Sequence, residues 1–153
     1  PESFVLESFV VNSGNTINST ASVSLRHAGE RLDNVAIGDG PIDAVFKAID
    51  KITKTGYALD DYSIRAVTAG EDALGEATVR LRKNGRRFTG RGVSMDIIES
   101  SVHAYISAIN KVVAEEGLTS KIEALPQNAK DKLQETLQRI INEGSGGLIC
   151  ILL

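Results

Sequence analysis

An α+β fold built from two β-β-β-α units is what this 153-residue sequence predicts, and three observations predict it. First, Ala21-Ser-Val-Ser-Leu-Arg-His-Ala-Gly-Glu-Arg31 lines up with Ala77-Thr-Val-Arg-Leu-Arg-Lys-Asn-Gly-Arg-Arg87 at a constant offset of 56, sharing Ala, Val, Leu, Arg, Gly and Arg in register. Second, each copy alternates apolar and polar residues (Val23 and Leu25, Val79 and Leu81) up to a glycine turn at Gly29 or Gly85, the pattern of a hairpin with one wet face. Third, each hairpin is followed by a glycine pair and then by apolar residues at helical spacing. Strands this amphipathic need cover on one face only, so the expected architecture is an antiparallel sheet with helices on one face.

In chain order, residues 4–12 form the first strand and the first hairpin follows. Pro41 suits the first turn of a helix whose stripe is Ile42, Val45, Phe46, Ile49 and Ile52 and which ends near Gly56. In the second unit the leading strand covers residues 62–69, with Tyr62, Ile64 and Ala66 on one side. After the second hairpin, Ser94 is expected to cap a longer helix bearing Ile97, Ile98, Val102, Tyr105, Ile109 and Val112 and stopping near Gly117. The repeated body is thus residues 1–114, as two repeats of about 3–56 and 57–114. Pro126 then opens an additional helix within residues 115–143, carrying Leu133, Leu137, Ile140 and Ile141. Residues 144–153 read as a Gly-Ser-Gly-Gly linker with an apolar tail.

Composition narrows the function. A chain near 150 residues buries about 68–70% of its unfolded surface unaided. Hydrophobic residues at 42% and charged residues at 24% exclude a disordered or fibrous class. The net charge of −3 is too weak a field for nucleic acid or an anionic membrane, and no apolar run reaches the ~20 residues of a membrane span. The basic stretch Arg80, Arg82, Lys83, Arg86, Arg87 and Arg91 alternates with Val79 and Leu81 and reads as the wet face of a strand. Cys150 is the single cysteine, so neither an internal disulfide nor a thiolate metal cage is expected and a reducing, cytoplasmic setting is the default. His27 and His103 lack ligand-spaced partners, so no metal site is expected, and His103 reads as a helix-surface residue. Cys150-Ile-Leu-Leu153 matches a prenylation box in form, but no polybasic segment precedes it, and a tail or docking strand is the simpler reading. Pro1 in place of an initiator Met is read as the start of a piece of a longer chain.

Glycine-rich turns into helices are the strongest local feature. A helix start presents unpaired N–H groups and the positive end of a dipole to an anion. Gly38-Asp-Gly-Pro-Ile-Asp-Ala44 is neither a P-loop nor a complete G-x-G-x-x-G, and Asp39, Asp43 and Asp96 would repel phosphate. They suit a zwitterion, with its carboxylate at the N–H donors and its ammonium at an aspartate. On local pattern alone, glycines that make turns and aspartates that cap helices are the simpler reading.

Taken together, Gly38-Asp-Gly-Pro-Ile-Asp-Ala44, Leu59-Asp-Asp-Tyr-Ser-Ile-Arg-Ala-Val-Thr-Ala-Gly-Glu-Asp-Ala-Leu-Gly-Glu76, Gly90-Arg-Gly-Val-Ser-Met-Asp-Ile97 and Ala104-Tyr-Ile-Ser-Ala-Ile-Asn110 resemble the C-terminal regulatory domain of 2-isopropylmalate synthases. The resemblance runs over roughly residues 3–113 and extends more weakly to citramalate synthases. It implies a homodimer of two-unit domains that binds leucine (isoleucine in the citramalate enzymes) and inhibits a remote catalytic barrel by feedback. Carried over by position, the effector site comprises Gly38, Asp39, Gly40, Ile42 and Asp43 at the first helix start, Tyr62, Ala66, Ala73 and Gly75 on the second unit, and Val93 and Asp96 at the second helix start. No catalytic residue and no cofactor is expected in this chain, because the barrel with its metal-binding His-x-His motif is absent from it. Two rivals remain from the residues alone: a dimerisation module with no effector, and a small enzyme using Asp43 and Asp96, which has no nucleophile with an oriented base.

Overall fold

The apolar residues that the two copies share help to build the core. In the computed structural model, which describes residues 3–15, 17–67 and 73–143, the element order is β1 (Val5–Asn12), β2 (Ser19–His27), β3 (Glu30–Gly38), α1 (Pro41–Thr53), β4 (Ala58–Ala66), β5 (Gly75–Lys83), β6 (Arg86–Ser94), α2 (Ile97–Glu123) and α3 (Gln127–Asn142). Ala21, Val23 and Leu25 of β2 and Ala77, Val79 and Leu81 of β5 all point inward and are 0–2% exposed. Each such Val or Leu contributes about 1.5–3 kcal/mol on burial. The shared glycines turn the hairpins: Ala28 and Gly29, like Asn84 and Gly85, have φ between +52° and +79°, the type I′ geometry that matches strand twist.

The strands form two three-stranded antiparallel sheets, β1-β2-β3 and β4-β5-β6, so the expected sheet is divided between the units. The chain separates into two compact units, Pro1–Ala114 and Glu115–Leu153. In the first, one hydrophobic cluster joins the inner faces of both sheets to α1 and α2. The helices meet where the Phe46 and Tyr105 rings stack at 4.0 Å. Asn110 of α2 holds the entry to β1, accepting from the Phe4 N–H at 2.8 Å and donating to the Phe4 carbonyl at 2.9 Å.

Each leading strand carries a bulge, between Leu6 and Ser8 and between Leu59 and Asp61. The extra residue in each case is acidic and faces two repeat arginines. Glu7 lies 2.8 Å from Arg26 and 3.6 Å from Arg31, and Asp60 lies 2.9 Å from Arg82 and 3.2 Å from Arg87. The repeat arginines thus belong to the wet face, as their alternation with Val79 and Leu81 implies.

Four expectations about boundaries need correction. The strand β4 begins at Ala58, not at residue 62. Gly90 and Gly92 do not turn into a helix: both lie inside β6, and a Cβ on them would fall 2.0 Å from the Ala104 carbonyl oxygen and 2.2 Å from that of Ser100. They are close-approach residues, matched on α2 by Ser100, Ala104 and Ala108 at four-residue spacing. Ser94 ends β6, and it is Asp96 whose Oδ1 accepts from the Ile98 N–H at 2.8 Å and caps α2. Finally, α2 runs through Gly117 to Glu123, because one glycine costs only about 1 kcal/mol in a helix.

In the second unit, α3 starts after Pro126 as expected and is amphipathic, but none of its residues is fully buried and Ile141 is 49% exposed. The expected linker and apolar tail at 144–153 lie outside the described residues.

Candidate functional site

Two helix starts with one geometry and opposite chemistry frame the site. At the offset of 56, Pro41 of α1 corresponds to Ile97 of α2 and Gly40 to Asp96. Asp96 closes its own helix start with a carboxylate. Gly40 occupies the equivalent position on α1 with extended backbone (φ −162°, ψ 175°), and no side chain caps that helix. A Cβ at Gly40 would meet nothing within 4 Å. The N–H groups of the first turn of α1 therefore face a gap that its twin fills.

Five of the expected residues gather there. Gly38, at the end of β3, packs its backbone on α1, where a Cβ would come 2.3 Å from the Ala44 nitrogen. Asp39 is exposed and Ile42 half-buried. Asp43 Oδ2 accepts from the Asp39 N–H at 2.9 Å and pairs with Lys47 at 2.9 Å. The Lys47 ammonium, helped by the Asp39 N–H, holds the Asp43 carboxyl below its ordinary value, so Asp43 is charged and already engaged at neutral pH.

A second group lies at the end of sheet β4-β5-β6. Ala66, Gly75 and Ser94 stand in one row across the sheet; Val93 and Asp96 follow on β6 and the start of α2, and Ala73, exposed, precedes β5. Tyr62 reaches both helices. Its ring meets Phe46 of α1 edge-on at 5.6 Å, and its hydroxyl lies 2.6 Å from Ser101 Oγ of α2. Sequence reasoning missed the exposed Val67 and Met95 around this end, and Ile64 and Ile97, which it placed on a strand face and a helix stripe, are exposed there too; the four are 39–67% exposed. It also missed Ser101, whose place among the apolar residues of α2 was the available signal.

Elsewhere, among the described residues, cavities of about 550, 450 and 250 Å³ lie beside residues 4–6 and α2, on α3, and at Asp50 and Tyr57. None is lined by the eleven expected residues. At the third, Asp50 accepts from the hydroxyls of Tyr57 and Tyr105. Burial, with the Asp50 carboxylate adding to it, raises Tyr57 above its ordinary value. Tyr105 is raised by burial first and then by Tyr57 and Asp50. Both phenols stay protonated, and the bond from Tyr105 to Asp50 ties α2 to α1. His103 sits exposed on α2, 3.7 Å from Glu99. Among the described residues no cluster of three His, Cys, Asp or Glu side chains could hold a metal ion, and no helix is long and apolar enough to cross a membrane.

A duplicated β-β-β-α body with one capped and one uncapped helix start defines the class as a two-repeat α+β domain. Comparison with known proteins makes the class particular: residues 1–113 match the LeuA allosteric (dimerisation) domain, and the chain belongs to that family. It is 52% identical over 114 residues to 2-isopropylmalate synthase of Carboxydothermus hydrogenoformans, which covers 74% of this chain and 22% of that protein. The synthase of Ruminiclostridium cellulolyticum is 50% identical over 117 residues, 76% of this chain and 23% of the relative. That of Picosynechococcus is 42% identical over 130 residues, 84% and 24% respectively. The chain thus spans less than a quarter of the length of these relatives. Residues 97–153 also match the C-terminal part of sporulation stage IV protein A, a stretch that includes the segment beyond the repeats, to which the resemblance did not extend.

Proposed function

We propose that this chain is the leucine-binding, dimer-forming regulatory domain of a 2-isopropylmalate synthase, and that it inhibits the synthase's catalytic barrel by feedback. The observation that carries the reading is the uncapped start of α1 at Gly40, in a chain whose family is described as allosteric. The leucine carboxylate takes the N–H groups at this start, as the Asp96 carboxylate does at the start of α2. The ammonium meets acidic and hydroxyl groups of the expected set, among them Asp39 and Tyr62. The branched side chain lies against the apolar surface that the site residues carry, of which Ile42 and Val93 are part. The remaining expected residues, Gly38, Asp43, Ala66, Ala73, Gly75 and Asp96, shape the two ends. Asp43, already paired with Lys47, acts by fixing Asp39 more than by binding ligand.

Regulation is then differential binding: leucine stabilises one arrangement of the paired domains over another, and the barrel of the whole synthase responds. This chain contributes binding and coupling, while the acyl transfer belongs to the rest of the enzyme. Leucine and isoleucine differ only in where one methyl sits, a discrimination of about 1–3 kcal/mol in an apolar pocket.

Calorimetric titration with both amino acids, together with sedimentation, tests the reading. The expected result is a dimer that binds leucine more tightly than isoleucine. Tighter isoleucine binding would favour the citramalate type of effector. A dimer that binds neither would leave a dimerisation module alone, and a monomer up to high micromolar concentration would remove the dimer.

A further inference from the structure

We infer that Ser101, buried and outside the expected site, is a positioning residue that makes Tyr62 a reader of the effector's ammonium group; this rests on the leucine-binding reading above. Ser101 is fully buried. Its Oγ lies 2.7 Å from the Ile97 carbonyl oxygen and 2.6 Å from the Tyr62 hydroxyl. A hydroxyl has one proton to give and lone pairs to receive, whereas a carbonyl oxygen can only receive. The Ser101 proton therefore goes to Ile97, and the short contact to Tyr62 holds together only if Tyr62 is the donor. The chain of hydrogen bonds runs in one direction, from Tyr62 O–H to Ser101 O–H to the Ile97 carbonyl, and each link polarises the next.

What is left on the Tyr62 oxygen is acceptor capacity alone. A carboxylate or keto oxygen arriving there finds no proton, whereas a primary ammonium finds a lone pair whose partner bond is already polarised. Tyr62 is half-buried on β4, and its ring rests on Phe46 of α1, so the hydroxyl is fixed in place as well as in polarity. The arrangement selects an α-amino acid over the carboxylic acid with the same branched chain. Without Ser101, the Tyr62 proton is free to turn toward the ligand and the selection is lost.

The test is titration of the chain with L-leucine and with 4-methylpentanoate, followed by chemical shifts so that millimolar binding is read, with circular dichroism as the folding control. Ser101→Ala should weaken leucine by about tenfold, the scale of one hydrogen bond to a charged group, and leave 4-methylpentanoate within about twofold. Ser101→Thr, which keeps the hydroxyl, should restore leucine. Should Ser101→Ala fail to fold, Tyr62→Phe serves: it removes the acceptor and should lower leucine affinity without lowering that for the analogue. Equal weakening of both ligands would make the bond a mere tie between β4 and α2 and overturn the inference, as would unchanged leucine binding. A parent chain that binds neither ligand removes the leucine reading itself and this inference with it.

Discussion

Gly90→Ala is expected to cost the two-sheet unit about 3 kcal/mol or more, and Gly90→Val to prevent its folding. The added Cβ would lie 2.0 Å from the Ala104 carbonyl oxygen, 2.4 Å from the Ala108 nitrogen and 3.0 Å from the Ala108 Cα. All three are helix backbone atoms, so no side chain can rotate out of the way. The strand β6 or the helix α2 must move, and α2 is held on its other sides by the fully buried Val102, Tyr105 and Ile109. Overpacking ordinarily costs about 1–3 kcal/mol, and a clash of backbone against a packed helix belongs at or above the top of that range. Against a total stability of about 5–15 kcal/mol for a domain, the loss is plain in urea denaturation. Gly75→Ala is the control, since its Cβ would meet its nearest atoms at 3.7 and 3.9 Å, ordinary contact distances. A Gly90→Ala protein as stable as the Gly75→Ala protein would refute the packing account.

Gly40→Asp is expected to abolish leucine binding, by more than about a hundredfold, without lowering stability. Within the chain the space is open and the backbone extended, so the substitution meets no strain and the effect falls on the ligand alone. The repeat shows the outcome at the equivalent position, where the Asp96 carboxylate accepts from the N–H two residues on, at 2.8 Å. A carboxylate introduced at Gly40 takes the Ile42 N–H in the same way. It fills the place of the leucine carboxylate and repels it, while the change from Gly to Asp at a helix cap gains a few tenths of a kcal/mol. Titration beside thermal melting checks both halves. Leucine binding as tight as the parent's would put the site elsewhere, and a lowered melting temperature would contradict the open space at Gly40.

These two glycines also mark how far the sequence could be read. The repeat was legible because Ala21, Val23 and Leu25 and their copies Ala77, Val79 and Leu81 face the core in register, and the core tolerates little drift. Gly29 and Gly85 were legible because a type I′ turn demands positive φ. Gly90 and Gly92 were misassigned, since a glycine that turns a chain and one that admits a helix backbone look alike in one dimension. Only the small residues Ser100, Ala104 and Ala108, four apart on the facing helix, separate the two cases. Glu7 and Asp60 went unpaired in the reading because the leading strand stands three residues further from its hairpin in the second copy, with Leu6 opposite Leu25 but Leu59 opposite Leu81, so the leading strands do not follow the offset of 56. The extension of α2 past Gly117 was hidden by giving one glycine more weight than its energy carries. Of the site, the uncapped start of α1 was visible as Gly40-Pro41. The role of Tyr62 was not, because it depends on a proton whose direction is set thirty-nine residues away, at Ser101.

The difference between Gly40 and Asp96 has a consequence for heredity. Two of the four glycine codons, GGU and GGC, become aspartate codons by one transition at the second base, so from either of them an allele carrying Gly40→Asp is a single step away, and it burdens the folded protein with nothing. Cells plated on a toxic analogue of the effector should therefore yield Gly40→Asp repeatedly among the survivors. Glycine-to-aspartate changes at Gly90 and Gly92 arise by the same kind of substitution and should be missing from them, since those chains never reach the folded state in which a regulatory defect could be of use.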